Sequence, residues 1–122
     1  MYDHIGLKVQ DLGASVRFYA ATLAPLGHVN AGGDDSYAGL GPKGAPALWL
    51  YASKAPAGPG THVCFKATTR AAVDAFHAAG LANGGRDNGA PGLRPDYSPT
   101  YYAAFLIDPD GNNVEAVCFA PS

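Results

Sequence analysis

The sequence predicts an α+β fold: two β-α-β-β-β modules whose strands form a curled mixed sheet around a cavity, with helices on the outer face. Three observations carry this prediction. The stretch "DHIGLKV" returns 58 positions later as "THVCFKA", and the same offset pairs Phe18 with Phe76, Ala20 with Ala78 and Leu23 with Leu81. Each copy opens with strict alternation of apolar residues and then switches to helical spacing. The 16 glycines and 10 prolines among 122 residues call for many tight turns between short strands.

In the first copy, Ile5, Leu7 and Val9 point to one face of a strand, while His4, Gly6 and Lys8 point to the other. The second copy repeats this with Val63, Phe65 and Ala67 against His62, Cys64 and Lys66. A helix follows each strand, capped by Asp11 or Thr69. Leu12, Val16, Tyr19 and Leu23 line its apolar face in one copy; Val73, Phe76 and Ala79 do so in the other. Pro25-Leu26-Gly27 stops the first helix and Gly84-Gly85 the second. "HVNAG", "SYAGL" and "ALWLYA" read as three strands separated by turn-forming residues.

"YYAAFLI" and "NVEAVCF" read as the last two strands, joined by the turn Asp108-Pro109-Asp110-Gly111, which has no chemical role. The stretch "NGGRDNGAPGLRPDYSPT" is too rich in Gly and Pro for regular structure, and reads as a functional loop or a frayed edge strand. The chain is therefore expected to be a single domain, with module one at about 1–52, a linker at 53–60 and module two at 61–119.

A formal charge of −2 and the absence of any Lys/Arg-rich run argue against nucleic-acid and membrane partners and for a small-molecule substrate. No apolar run approaches the roughly 20 residues that span a bilayer, and no secretory leader is legible, so a cytoplasmic location is expected. Cys64 and Cys118, both within apolar runs, read as reduced, buried thiols.

His4 and His62 both turn away from the helices, toward the shared cavity. Glu115 is the sole glutamate in the chain, and it sits mid-strand, where a carboxylate has no propensity to be. Val114 and Ala116 face the helix, so Glu115 faces the cavity. Taken singly, each is an ordinary strand residue, but together they make an open site of two imidazoles and one carboxylate able to hold a divalent metal. Trp49, Tyr51, Tyr101 and Phe105 read as cavity wall, and Cys64 as a small apolar neighbour of the metal. Arg94, with Arg86 and Tyr97, is a candidate to hold an anionic substrate. His28 and His77 read as ordinary surface or strand-start residues.

The segments "DHIGLKVQDLGASVRFYAATLAPLG", "THVCFKA" and "FLIDPDGNNVEAV" resemble the first-strand, fifth-strand and last-hairpin signatures of the vicinal oxygen chelate superfamily. That superfamily includes glyoxalase I, extradiol dioxygenases, fosfomycin-modifying thiol transferases and bleomycin-binding proteins. The resemblance implies metal ligands at His4, His62 and Glu115, a Mn, Fe(II), Ni or Zn ion as Lewis acid, and a homodimer in which modules are sometimes exchanged. It implies a glyoxalase-like lyase or dioxygenase-like metalloenzyme, with a metal-free, drug-sequestering protein as the alternative.

Departures from the family patterns narrow this reading. Trp49 stands where glyoxalase I has a fourth ligand. Phe105 stands where dioxygenases keep a catalytic tyrosine, which leaves Tyr101, on the same face, to act with Glu115. Gly6, Ala103 and Phe105 replace the phosphonate clamp of the fosfomycin enzymes.

Overall fold

The computed structural model describes residues 1–55 and 58–122; the expected linker 53–60 lies partly outside these. Strand β1 (Ile5–Val9) leads into helix α1 (Leu12–Leu23) and a 3₁₀ turn (Ala24–Leu26), followed by β2 (Val29–Gly33), β3 (Tyr37–Gly41) and β4 (Leu48–Ala52). The second copy runs β5 (His62–Lys66), α2 (Arg70–Ala82), β6 (Arg86–Leu93), β7 (Tyr102–Ile107) and β8 (Asn113–Cys118). The α+β class and the twofold β-α-β-β-β plan are those expected. The strands hydrogen-bond as two four-stranded mixed sheets, ordered β1-β4-β3-β2 and β5-β8-β7-β6. In each, the first strand pairs in parallel with the last, and the other pairs are antiparallel.

The caps are as the sequence requires. Asp11 accepts from the Ala14 amide at 3.0 Å and Thr69 from the Ala72 amide at 3.1 Å, each satisfying an otherwise free N–H of the first turn. Gly27 (φ 89°) ends the first helical segment in the left-handed conformation that a side chain resists. One core unites both copies: Leu7, Phe18, Tyr19 and Leu50 cluster with Val73, Phe76, Leu106 and Val114. The buried stripe of α1 consists of Ser15, Phe18, Tyr19, Thr22 and Leu23, so Leu12 and Val16 lie at its margin. This helix packs against α2 as well as its own sheet, and a wider face is buried than one sheet would require.

One sequence expectation changes and two are made specific. The Gly/Pro-rich stretch contains an eight-residue strand, β6, whose pairing with β7 slips in register twice. It tolerates Pro91 and its glycines because it is an edge strand with only one ladder to satisfy. His77 is a buried helix residue, not a surface one, and its Nε2 lies 2.8 Å from Asp87 Oδ1 on β6. The turn after β7 is a fastening point between the copies. Buried Asp108 accepts from the Tyr19 hydroxyl, the Asn112 amide and the Asn112 side chain, while Asp110 accepts from the Gln10 amide and the Ser15 hydroxyl.

Candidate functional site

Glu115 lies at the centre of β8, opposite Cys64 on β5 and Phe105 on β7. It is only 3% exposed, on a sheet face turned away from the helices. A carboxylate removed from water must find partners, and Glu115 has two. The Tyr101 hydroxyl donates to Oε2 at 2.5 Å, and His62 Nε2 lies 3.2 Å from Oε1.

His62 opens β5 beside Asn113, and its Nδ1 is 3.0 Å from the Asn113 carbonyl oxygen. A carbonyl only accepts, so Nδ1 carries the hydrogen and a neutral His62 presents the Nε2 lone pair to Glu115. Two lone-pair atoms at 3.2 Å require a proton or a cation between them. An imidazole whose far nitrogen is tied to a carbonyl is also the arrangement typical of metal-bound histidine.

These groups open on a cleft of about 310 Å³ lined by His62, Tyr97, Tyr101, Phe105, Asn113 and Glu115. Tyr97 and Phe119 meet the Tyr101 ring edge-on at 5.0 and 5.4 Å. Desolvation, then the bond to Glu115, raises the Tyr101 pKa well above the ordinary phenol value, so the hydroxyl remains a donor at neutral pH. Asn113 had no signal in the sequence; after Gly111 and Asn112 it reads as one more turn residue.

The expected site residues divide. Glu115, His62, Tyr101 and Phe105 converge on this cleft. His4, just ahead of β1, is exposed, bonds through Nδ1 to Asp3 at 2.7 Å, and opens on a second cleft between the starts of β1 and β5. Cys64 lines that second cleft and is exposed rather than buried, because it shares the outward face of β5 with His62. Its thiol is pushed up to about 12 by desolvation first and by the Glu115 carboxylate second.

Trp49 and Tyr51 line neither cleft. On the outer face of the first sheet, the Trp49 ring covers Gly39 and Tyr51 covers Gly6, where a Cβ would collide with each ring. Arg94 stacks over Phe105 at 5.4 Å and donates to the carbonyls of Gly92 and Ala90, so it braces the wall and spends these donors on β6. Among the described residues, no group of three His, Cys, Asp or Glu stands close enough to hold a metal ion. His62 and Glu115 fit a cation as two neighbouring ligands, and the chain by itself does not bring His4 to them.

The sequence profile of the Glyoxalase/Bleomycin resistance protein/Dioxygenase superfamily matches residues 2–116, and the chain belongs to that superfamily. A glyoxalase/bleomycin resistance protein from Albidiferax ferrireducens T118 is 32% identical, with a TM-score of 0.82 over 97% of this chain and 98% of the other. A glyoxalase/bleomycin resistance protein/dioxygenase family enzyme from Burkholderia phytofirmans PsJN shares the fold at 18% identity and a TM-score of 0.75, over 97% and 98% of the two chains. A glyoxalase-related enzyme from Fulvimarina pelagi does so at 17% and 0.74, over 97% and 87%. No curated protein matches the sequence. No helix among the described residues is long and apolar enough to cross a membrane.

Proposed function

We propose that the Glu115 cleft is the reaction centre of a small metal-assisted enzyme acting on an oxygen-bearing organic molecule. The observation that supports this is His62 Nε2 standing 3.2 Å from Glu115 Oε1, with Nδ1 committed to the Asn113 carbonyl. His62 and Glu115 would hold a divalent cation, which when bound supplies positive charge to an oxygen of the substrate. Tyr101 orients the carboxylate through its hydroxyl and keeps its own proton. The rings of Tyr97, Tyr101 and Phe105 bound the space for an organic ligand.

The third donor is His4. It lies on the other cleft of its own chain, so it comes from a second copy in a homodimer. Purified protein is reloaded with Mn, Fe(II), Ni or Zn, and bound metal and mass in solution are measured together. One metal per site in a dimer is the expected result. No stoichiometric uptake of any of the four overturns the proposal.

A second reading is favoured by the lack of a three-donor group among the described residues. In it, the charge between His62 and Glu115 is a proton, and the cleft sequesters a small molecule without turning it over. Ligand binding that is indifferent to chelator identifies this case.

A further inference from the structure

Asn113 lines the Glu115 cleft, and its side chain is held from the edge of the sheet. Asn88 Nδ2 donates to Asn113 Oδ1 at 3.2 Å, although Asn88 lies on β6 and Asn113 on β8, with β7 between them. Neighbouring strands lie roughly 4.8 Å apart, so the two side chains together bridge roughly 10 Å. A bulge permits this reach. Asp87 pairs with Leu106 and Gly89 with Phe105, which leaves Asn88 as an extra residue without a place in the ladder, and a bulge re-aims the side chain it carries. Asp87 fixes the bulge: its Oδ1 accepts from the Gly89 amide at 3.0 Å and stands 2.8 Å from Nε2 of buried His77.

The bond from Asn88 decides which atom of the Asn113 amide the cleft meets. The oxygen accepts, the nitrogen donates, and the two diverge from one carbon. Oδ1 is taken up by Asn88, so the Nδ2 hydrogens are left to the cleft, and among the described residues nothing accepts from them. His62 is the ladder partner of Asn113, and Glu115 follows two residues on along the same face of β8, so this donor adjoins the proposed reaction centre. We propose that Asn113 is a ligand-binding residue whose Nδ2 donates to a carbonyl oxygen of the ligand, and that Asn88 is a positioning residue that sets this polarity. These roles rest on the Glu115 cleft being the ligand site, which the metal-assisted and metal-free readings share. The ligand class is a small carbonyl compound, its apolar body against the rings of Tyr97, Tyr101 and Phe105.

The test uses acetophenone and α-methylstyrene, which match in shape except that a methylene replaces the carbonyl oxygen and accepts no hydrogen bond. Each is titrated into ¹⁵N-labelled protein with chelator present, so that metal uptake plays no part, and the Asn113 side-chain amide is followed together with the backbone amides of His62 and Tyr101. Acetophenone is expected to move the Asn113 side-chain amide. Asn113→Leu keeps the bulk and should lower the affinity ratio of acetophenone to α-methylstyrene by about threefold or more, the worth of one neutral hydrogen bond. Asn88→Asp separates positioning from support of the fold: a carboxylate there only accepts, so Asn113 turns Nδ2 to β6 and Oδ1 to the cleft. In that variant the affinity ratio of acetophenone to 1-phenylethanol, whose hydroxyl donates, should fall by about threefold or more. The proposal is overturned if Asn113→Leu leaves the first ratio unchanged or Asn88→Asp the second. Shifts at His62 and Tyr101 with none at Asn113 also overturn it, and leave the cleft standing as a ligand site. Shifts at none of the three residues overturn it too, and metal uptake, measured separately, then decides the metal-assisted reading.

Discussion

His62 Nε2 stands 3.2 Å from Glu115 Oε1 across two neighbouring parallel strands, and the Tyr101 hydroxyl holds the other carboxylate oxygen. The two contacts have different consequences when removed. Glu115→Gln keeps the shape and loses the anion that offsets a dication's charge, so metal affinity should fall by about 100-fold or more. Tyr101→Phe loses only an orienting bond, and should cost about 10-fold. Competition against a chelator of known affinity measures both. Equal affinity in Glu115→Gln and the parent protein would remove Glu115 from the ligand set.

The bond from Tyr19 to Asp108 joins α1 of the first copy to the last hairpin of the second, with both residues buried. Tyr19→Phe leaves Asp108 its bonds from Asn112 and the Asp110 amide, and should cost about 1.5–3 kcal/mol. Asp108→Ala strands the Tyr19 hydroxyl and the Asn112 donors together, and should cost about twice as much. Urea denaturation followed by circular dichroism gives both values. An unchanged midpoint for Tyr19→Phe would show that this bond does not fasten the two copies.

Asp87 accepts from the Gly89 amide and faces His77 Nε2, and these contacts hold its pKa below the ordinary carboxylate value. A carboxylate depressed in the folded state stabilises the fold fully above its unfolded pKa, and that stability is lost as pH falls through the folded value. Asp87→Asn should therefore lower Tm at pH 7, and the difference from the parent should shrink below about pH 4. A difference in Tm independent of pH from 7 to 3 would contradict this.

Gly80 in α2 lies against Leu106 of β7, where an added Cβ would come within 2.2 Å of Cδ1. Replacing a helix glycine with alanine ordinarily gains about 0.5–1 kcal/mol. Overpacking a filled core costs about 1–3 kcal/mol, and Leu106 is fully buried, so the second effect wins. Gly80→Ala should be destabilising by about 1 kcal/mol in denaturant titration. A stabilised variant would show that Leu106 has room to turn.

The local elements were legible in the sequence because their causes are local. Alternation at Ile5, Leu7 and Val9, caps at Asp11 and Thr69, and the 58-residue repeat specify strands, helices and module plan through nearest neighbours along the chain. The edge strand β6 was legible only as one of two alternatives because its glycines and Pro91 signal turns, and only the ladder offered by β7 outweighs them. The Glu115 cleft was readable in part: one glutamate mid-strand beside a repeated histidine marks a cavity-facing pair.

Tertiary structure alone decided which members of that set meet. His4 and His62 are equivalent in the repeat, yet β5 pairs directly with β8, which carries Glu115, and β1 pairs with β4 in the other sheet. Hydrogen bonding between strands therefore delivers His62 to the carboxylate and leaves His4 facing a different cleft. The same is true of His28, which read as a surface or strand-start residue and stands just ahead of β2. Its Nδ1 is buried without a hydrogen-bond partner, and the burial of one atom by tertiary packing has no signature in the order of residues.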